Sequence, residues 1–203
     1  MENIKVLQIV GAGNRYQITK LKKEPKIIKK RKEFEKWENI PTEYFDCSIH
    51  PSLINEIYYY LLLQKQEQQE QQEQQEQQEQ QEQQEQQPHH YELIKCQLDH
   101  KLSGYKQQDT DKQRYNNSKF INFTEVITKM HSCKLICYYC NQSTLLLYEN
   151  VREKKQWTLD RIDNDIGHNE NNVVIACLEC NLRRRRTNTS AFLFTKQLTI
   201  VRL

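Results

Sequence analysis

Two Cys-x2-Cys pairs, Cys137/Cys140 and Cys177/Cys180, stand with 36 residues between them in a chain of 203. Four thiolates at tetrahedral corners satisfy a structural zinc ion, and two such knuckles supply them. A ligand set of this kind draws two distant stretches of chain to one point. The gap is longer than in a single small zinc finger and has room for two strands and a long turn. Zinc would therefore pin the base of a β-hairpin to the following helix. The competing reading is reduced cysteines buried as small hydrophobes. His131 and Cys133 are spare candidates, although Cys133 lies four residues before Cys137 and fits a knuckle less well. Cys47 and Cys96 have no partner pattern and read as ordinary thiols.

Seven cysteines also suit a secreted disulfide scaffold. Against that, Met1-Glu-Asn-Ile-Lys5 lacks the long apolar core of a signal peptide. No apolar run approaches the roughly 18 to 20 residues that span a bilayer. The expectation is an intracellular, reducing compartment, nucleus or cytoplasm left open, where paired cysteines read as metal ligands.

Only 36% of residues are hydrophobic, and mean hydropathy is -0.95. Much of the deficit lies in residues 64–87, Gln-Gln-Glu triplets with one Lys and no apolar side chain. That stretch carries a net charge of -6, whereas residues 91–203 carry +6. A basic domain is compatible with a phosphate-rich partner, though charge alone speaks of association and not of chemistry. A three-residue period drifts around a helix of about 3.6 residues per turn and leaves no fixed stripe for a partner. Residues 63–90 therefore read as a low-complexity linker, partly helical at most.

Before the linker, residues 1–62 form an uncharacterised N-terminal region. Ile4 to Val10 has the β-branched content of a strand, and Ser52 to Leu63 has apolar residues at helical spacing behind Pro51. Gly11-Ala-Gly13 lacks the third glycine and following apolar helix of a nucleotide loop. Lys29-Lys-Arg-Lys32 reads as a solvated helix face or an import signal.

After the linker, residues 91–203 form the C-terminal domain. Asn122-Phe-Thr-Glu125 has the residue types of a capping box, with Phe123, Val126, Ile127 and Met130 at helical spacing behind it. The helix is expected to stop near Ser132. Leu145–Tyr148 and Trp157–Asp163 look like strands, Val173–Ile175 is a third apolar run, and Cys180 onward looks helical. Phe192, Leu193 and Leu198 are expected to pack back onto the domain. Asp160, Asn181 and His168 are ligand types for a hard cation such as Mg2+.

Cys137-x2-Cys140, Leu159-Asp-Arg-Ile-Asp163, Gly167-His168, Asn172-Val-Val174 and Cys177-x2-Cys180-Asn181 together resemble the HNH endonucleases, in a wording found in phages and large DNA viruses. The likeness covers residues 133–187, about a quarter of the chain. It implies an α+β, treble-clef-like fold: a zinc-stabilised ββα-metal core of hairpin and helix holding one catalytic Mg2+ or Mn2+. Asp160 matches the metal-binding carboxylate, Asn172 the asparagine that braces the loop, and Asn181 the third, metal-binding position. The departure is Arg161. The family has histidine there as general base, and a guanidinium stays protonated. Three explanations stay open: His168 takes over as base, Asp163 activates the water or adds a metal ligand, or the chain binds nucleic acid without cutting it. Arg161 itself can clamp a phosphate or pair with a neighbouring aspartate.

The run Arg183 to Arg186 follows Asn181 directly. At about 100° per residue, Arg184 and Arg185 come nearest the metal and are the expected phosphate contacts, while Arg183 and Arg186 face solvent or the other strand. The resulting expectation is a metal-dependent DNA endonuclease. A zinc-stabilised DNA-binding module without cleavage is the alternative. A cross-braced protein-interaction module wants about eight zinc ligands, more than two pairs supply.

Overall fold

The computed structural model describes residues 28–31, 40–74 and 90–198. Among these, five α-helices surround one two-stranded antiparallel sheet, an α+β architecture. None of the helices is long and apolar enough to cross a membrane. The expected strand at residues 4–10 and the glycines at 11 and 13 lie outside the described residues.

Helix α1 spans His50–Gln74, so helix continues well past Leu63 into the Gln/Glu tract. Its inward residues Leu53, Ile54 and Ile57 join the same core as Leu93, Ile94, Leu98 and Leu102 of α2 (Tyr91–Asp111). Residues on both sides of the tract thus share one core. Burying each such side chain contributes about 1.5–3 kcal/mol. His50 fastens this join. Its Nε2 donates to the Tyr44 carbonyl at 2.9 Å, and its Nδ1 accepts from the Leu146 N–H at 3.1 Å.

Helix α3 (Phe123–Ser132) opens on a complete capping box. Asn122 Oδ1 accepts from the Glu125 N–H at 3.0 Å, and Glu125 returns the bond to the Asn122 N–H at 2.8 Å. Val126, Ile127 and Met130 are buried, as the helical spacing requires.

Strand β1 (Trp157–Arg161) pairs with β2 (Val173–Cys177), with Trp157 opposite Cys177 and Arg161 opposite Val173. The expected strand at Leu145–Tyr148 is absent. Only Leu145 bridges, to Gln156, because the Leu146 N–H is taken by His50 instead of a ladder partner. Lys29–Lys32 also departs from expectation. Lys30 bridges Asn150, and Arg31 is buried with its guanidinium donating to Gln97 Oε1 at 2.8 Å, so residues 29–31 are no solvated helix face.

Helix α4 spans Leu178–Arg184, starting two residues before Cys180 and stopping where Arg185 takes a φ of 52° and ψ of -110°. Helix α5 (Thr189–Gln197) restarts behind an Asn188 cap. Phe192 packs edge-on against Tyr139 at 5.0 Å, and Leu193 packs beside it. Leu198 does not pack back, being about half exposed.

Candidate active site

The four sulfurs of Cys137, Cys140, Cys177 and Cys180 lie within 4.8 Å of one another. With Zn–S near 2.3 Å, tetrahedral sulfurs sit about 3.8 Å apart, and Cys140 Sγ to Cys177 Sγ measures 3.9 Å. Backbone N–H groups already point at the sulfurs, Cys177 N at Cys137 Sγ (3.3 Å) and Cys180 N at Cys177 Sγ (3.4 Å). The cluster can hold a metal such as zinc. Cys137 is drawn down to about 4 by the Cys177 thiol that hydrogen-bonds to it, while Cys177 is pushed up, first by its bond to Cys137 and then by burial. Metal-free, the cluster resists carrying several thiolates, and a divalent cation removes that resistance. Cys133 bonds to the Met130 carbonyl, His131 stacks on Tyr58 at 3.9 Å, and neither joins the cluster. Cys47 and Cys96 are exposed.

The knuckles position everything else. The Tyr138 N–H bonds the Ile175 carbonyl, which seats the first knuckle on β2, and Cys177 itself caps α4. Asn172 clamps the loop between the strands as the resemblance implies. Its Oδ1 accepts from the Asp163 N–H, and its Nδ2 donates to the carbonyls of Asp163 (2.9 Å) and Gly167 (3.0 Å). Asp163 itself is exposed, its Oδ1 accepting from the Asp165 N–H.

Thr158 and Asp160 share one face of β1, since side chains alternate along a strand. Asn181 from α4 reaches that face, its Nδ2 donating to Thr158 Oγ1 (3.1 Å) and the Leu159 carbonyl (3.3 Å). Asp160 is buried and closely held. Arg184 donates to Oδ2 through Nε at 2.6 Å and to Oδ1 through Nη2 at 3.1 Å, and Tyr139 donates to Oδ2 at 2.6 Å.

Arg184 is therefore no phosphate contact, and that expectation is corrected. It is 1% exposed. Besides Asp160, it donates to the carbonyls of Arg161 and Thr187 and to Asn164 Oδ1. The signal was present in the sequence: Arg184 lies four residues after Cys180, on the same buried helix face. Arg183 faces solvent and pairs with Glu179 at 2.7 Å.

A carboxylate offers about four acceptor sites. Three at Asp160 are occupied, leaving one on Oδ1. Asn181 Oδ1 accepts no hydrogen bond among the described residues. One acceptor position thus stays unfilled on each of these two residues, and both are oxygens, the donor type a hard cation takes.

At the Arg161 end of β1 opens a cleft of about 560 Å³ whose lining includes Lys112, Arg114, Arg161, Arg185 and Arg186. Five cations there face one carboxylate, Asp165, which pairs with Arg114 at 3.0 Å. Arg185, expected with Arg184 as a phosphate contact, and Arg186, expected to face solvent or the other strand, both line this cleft. Lys112 and Arg114, at and just beyond the end of α2, carry no sequence signal linking them to the motif region. Arg161 pairs with buried Asp109 at 3.6 Å, and His168 lies against the same carboxylate. Comparison with family models, curated proteins and solved structures finds no match to this chain.

Proposed function

We propose that this chain is a zinc-stabilised, HNH-type endonuclease that hydrolyses DNA phosphodiesters with one catalytic Mg2+ or Mn2+. What supports this reading is an unfilled acceptor position on Asp160 Oδ1, from β1, and on Asn181 Oδ1, from α4. The cleft of five cations at the Arg161 end of β1 supports a polyanionic substrate. Zinc at the thiols has no open position and does no chemistry. Asp160 and Asn181 would hold a divalent ion, which would supply charge neutralisation at the phosphate.

The chain's own groups do the rest. Lys112, Arg185 and Arg186 bind backbone phosphates without reading sequence. Arg184 and Tyr139 keep the Asp160 carboxylate oriented. Arg161 presents its guanidinium at the cleft wall, where it suits a phosphate oxygen. His168 takes the proton from water, the role Arg161 cannot fill.

A second reading, binding without cleavage, is favoured by the Asp160–Arg184 pair, which places a fixed positive charge beside the open oxygens. Supercoiled plasmid separates the two. Purified protein with Mg2+ or Mn2+ is expected to nick it, and Asp160→Ala and His168→Ala are each expected to abolish nicking. Intact plasmid under every condition, with salt-sensitive DNA retention, refutes the nuclease and leaves the binding module.

A further inference from the structure

Asp109 lies in α2, 59 residues before His168 and outside the stretch that carries the family likeness. Its side chain is wholly buried, and a buried carboxylate needs partners. Oδ2 accepts from the His168 backbone N–H at 2.5 Å, and Oδ1 meets the imidazole Nδ1 at 2.9 Å. Gly167 makes this approach possible. A Cβ there would come within 2.6 Å of the Arg114 carbonyl and 2.9 Å of Asp109 Oδ2. Tyr105, one helical turn earlier in α2, stacks on the imidazole at 4.5 Å. The ring is thus held on one face by a phenol and on one edge by a carboxylate.

A carboxylate only accepts, so Nδ1 of the neutral ring must carry the proton and Nε2 must present a bare lone pair. Among the described residues, Nε2 has no hydrogen-bond partner, and the side-chain atoms sealed without one are Trp157 Nε1 and Asn169 Oδ1. Burial lowers the imidazole's affinity for protons and outweighs the pull of Asp109; Asp160 and Arg161 of β1 are the other charged groups acting on it.

We infer that Asp109 is the positioning residue for His168, fixing the Nδ1–H tautomer so that Nε2 is free to take a proton from the attacking water. This rests on the nuclease reading. The proton passes from water to Nε2 as the hydroxide oxygen bonds to phosphorus. The P–O3′ bond breaks, the 3′-oxygen takes a proton from solvent, and the imidazolium returns its own to solvent.

Asp109→Asn tests it sharply. The His168 backbone N–H can only donate, so the new amide oxygen must face it. The amide NH2 then faces Nδ1, which must become an acceptor, and the proton moves to Nε2. In a serine-protease triad the same exchange sets the wrong tautomer and costs about 10⁴ in rate. Nitrogen-15 NMR of the full-length, zinc-loaded wild type is expected to show His168 as Nδ1–H. In Asp109→Asn the ring is expected as Nε2–H, with plasmid nicking down about 100-fold or more. An Nε2–H ring in the wild type overturns the assignment, and so does undiminished nicking by Asp109→Asn. A wild type that shows the Nδ1–H ring but never nicks DNA removes the nuclease and the proton transfer together, while a wild type that nicks with the wrong tautomer removes only the role of Asp109.

Discussion

Replacing Arg184 with methionine keeps much of the side chain's apolar stem and removes the guanidinium. Asp160 would then be a buried carboxylate held only by the Tyr139 hydroxyl, and the carbonyls of Arg161 and Thr187 would lose a donor. Breaking one side of a buried ion pair costs about 3–5 kcal/mol because the other charge is left uncompensated. At about 2–4 °C per kcal/mol for a chain of this size, the melting temperature is expected to fall by roughly 6–20 °C. Urea denaturation at saturating zinc, with a double-mutant cycle against Asp160→Asn, measures it. Neutralising both partners is expected to cost about 1–3 kcal/mol less than the two single losses summed. A loss under about 1 kcal/mol for Arg184→Met, the worth of an exposed pair, or strict additivity in the cycle, refutes the claim that this buried pair locks α4 to β1.

Three further outcomes follow from the same geometry. Cys137→Ser or a strong chelator is expected to remove one zinc per chain and melt β1, β2 and α4 together, seen as collapse of the dispersed amide spectrum; retained structure without metal would make the thiols ordinary core residues. Arg185→Gly relieves a backbone conformation natural only to glycine, so stability is expected to rise by about 0.5–1 kcal/mol while the salt slope of DNA binding falls by about 1; both are read from denaturation and from affinity at several salt concentrations. Burial lowers the proton affinity of His50, and its Nδ1 already accepts from Leu146, so the folded state resists protonation. Its stability contribution is complete above the ordinary histidine pKa of about 6.5 and is lost as pH falls from there through the depressed folded value. The stability lost between pH 7 and 5 is expected to be smaller in His50→Gln than in the wild type, and an equal loss would contradict this.

Elements whose cause is local were legible in the sequence. The Asn122/Glu125 capping box, the buried stripe of α3, the cysteine knuckles and the Asn172 brace each depend on residues close in the chain or on a spaced motif. Long-range partners set the rest. His50 diverts the Leu146 N–H and so cancels a strand that Leu145–Tyr148 would otherwise suggest. Asp109 reaches His168 across 59 residues with no local pattern to announce it. In the arginine run, proximity to Asn181 points Arg184 at a phosphate, but the buried face that Cys180 defines turns it into the core. Arg184 lies four residues after Cys180 on that buried face, whereas Arg185 is the residue that ends the helix.

Manganese occupancy tests the central claim most directly. Zinc-loaded protein titrated with Mn2+ and followed by electron paramagnetic resonance is expected to bind one ion per chain, and Asp160→Asn and Asn181→Ala are each expected to abolish that signal while the zinc stays in place. Undiminished Mn2+ binding in both variants, or none in the wild type, would contradict a shared ion between β1 and α4.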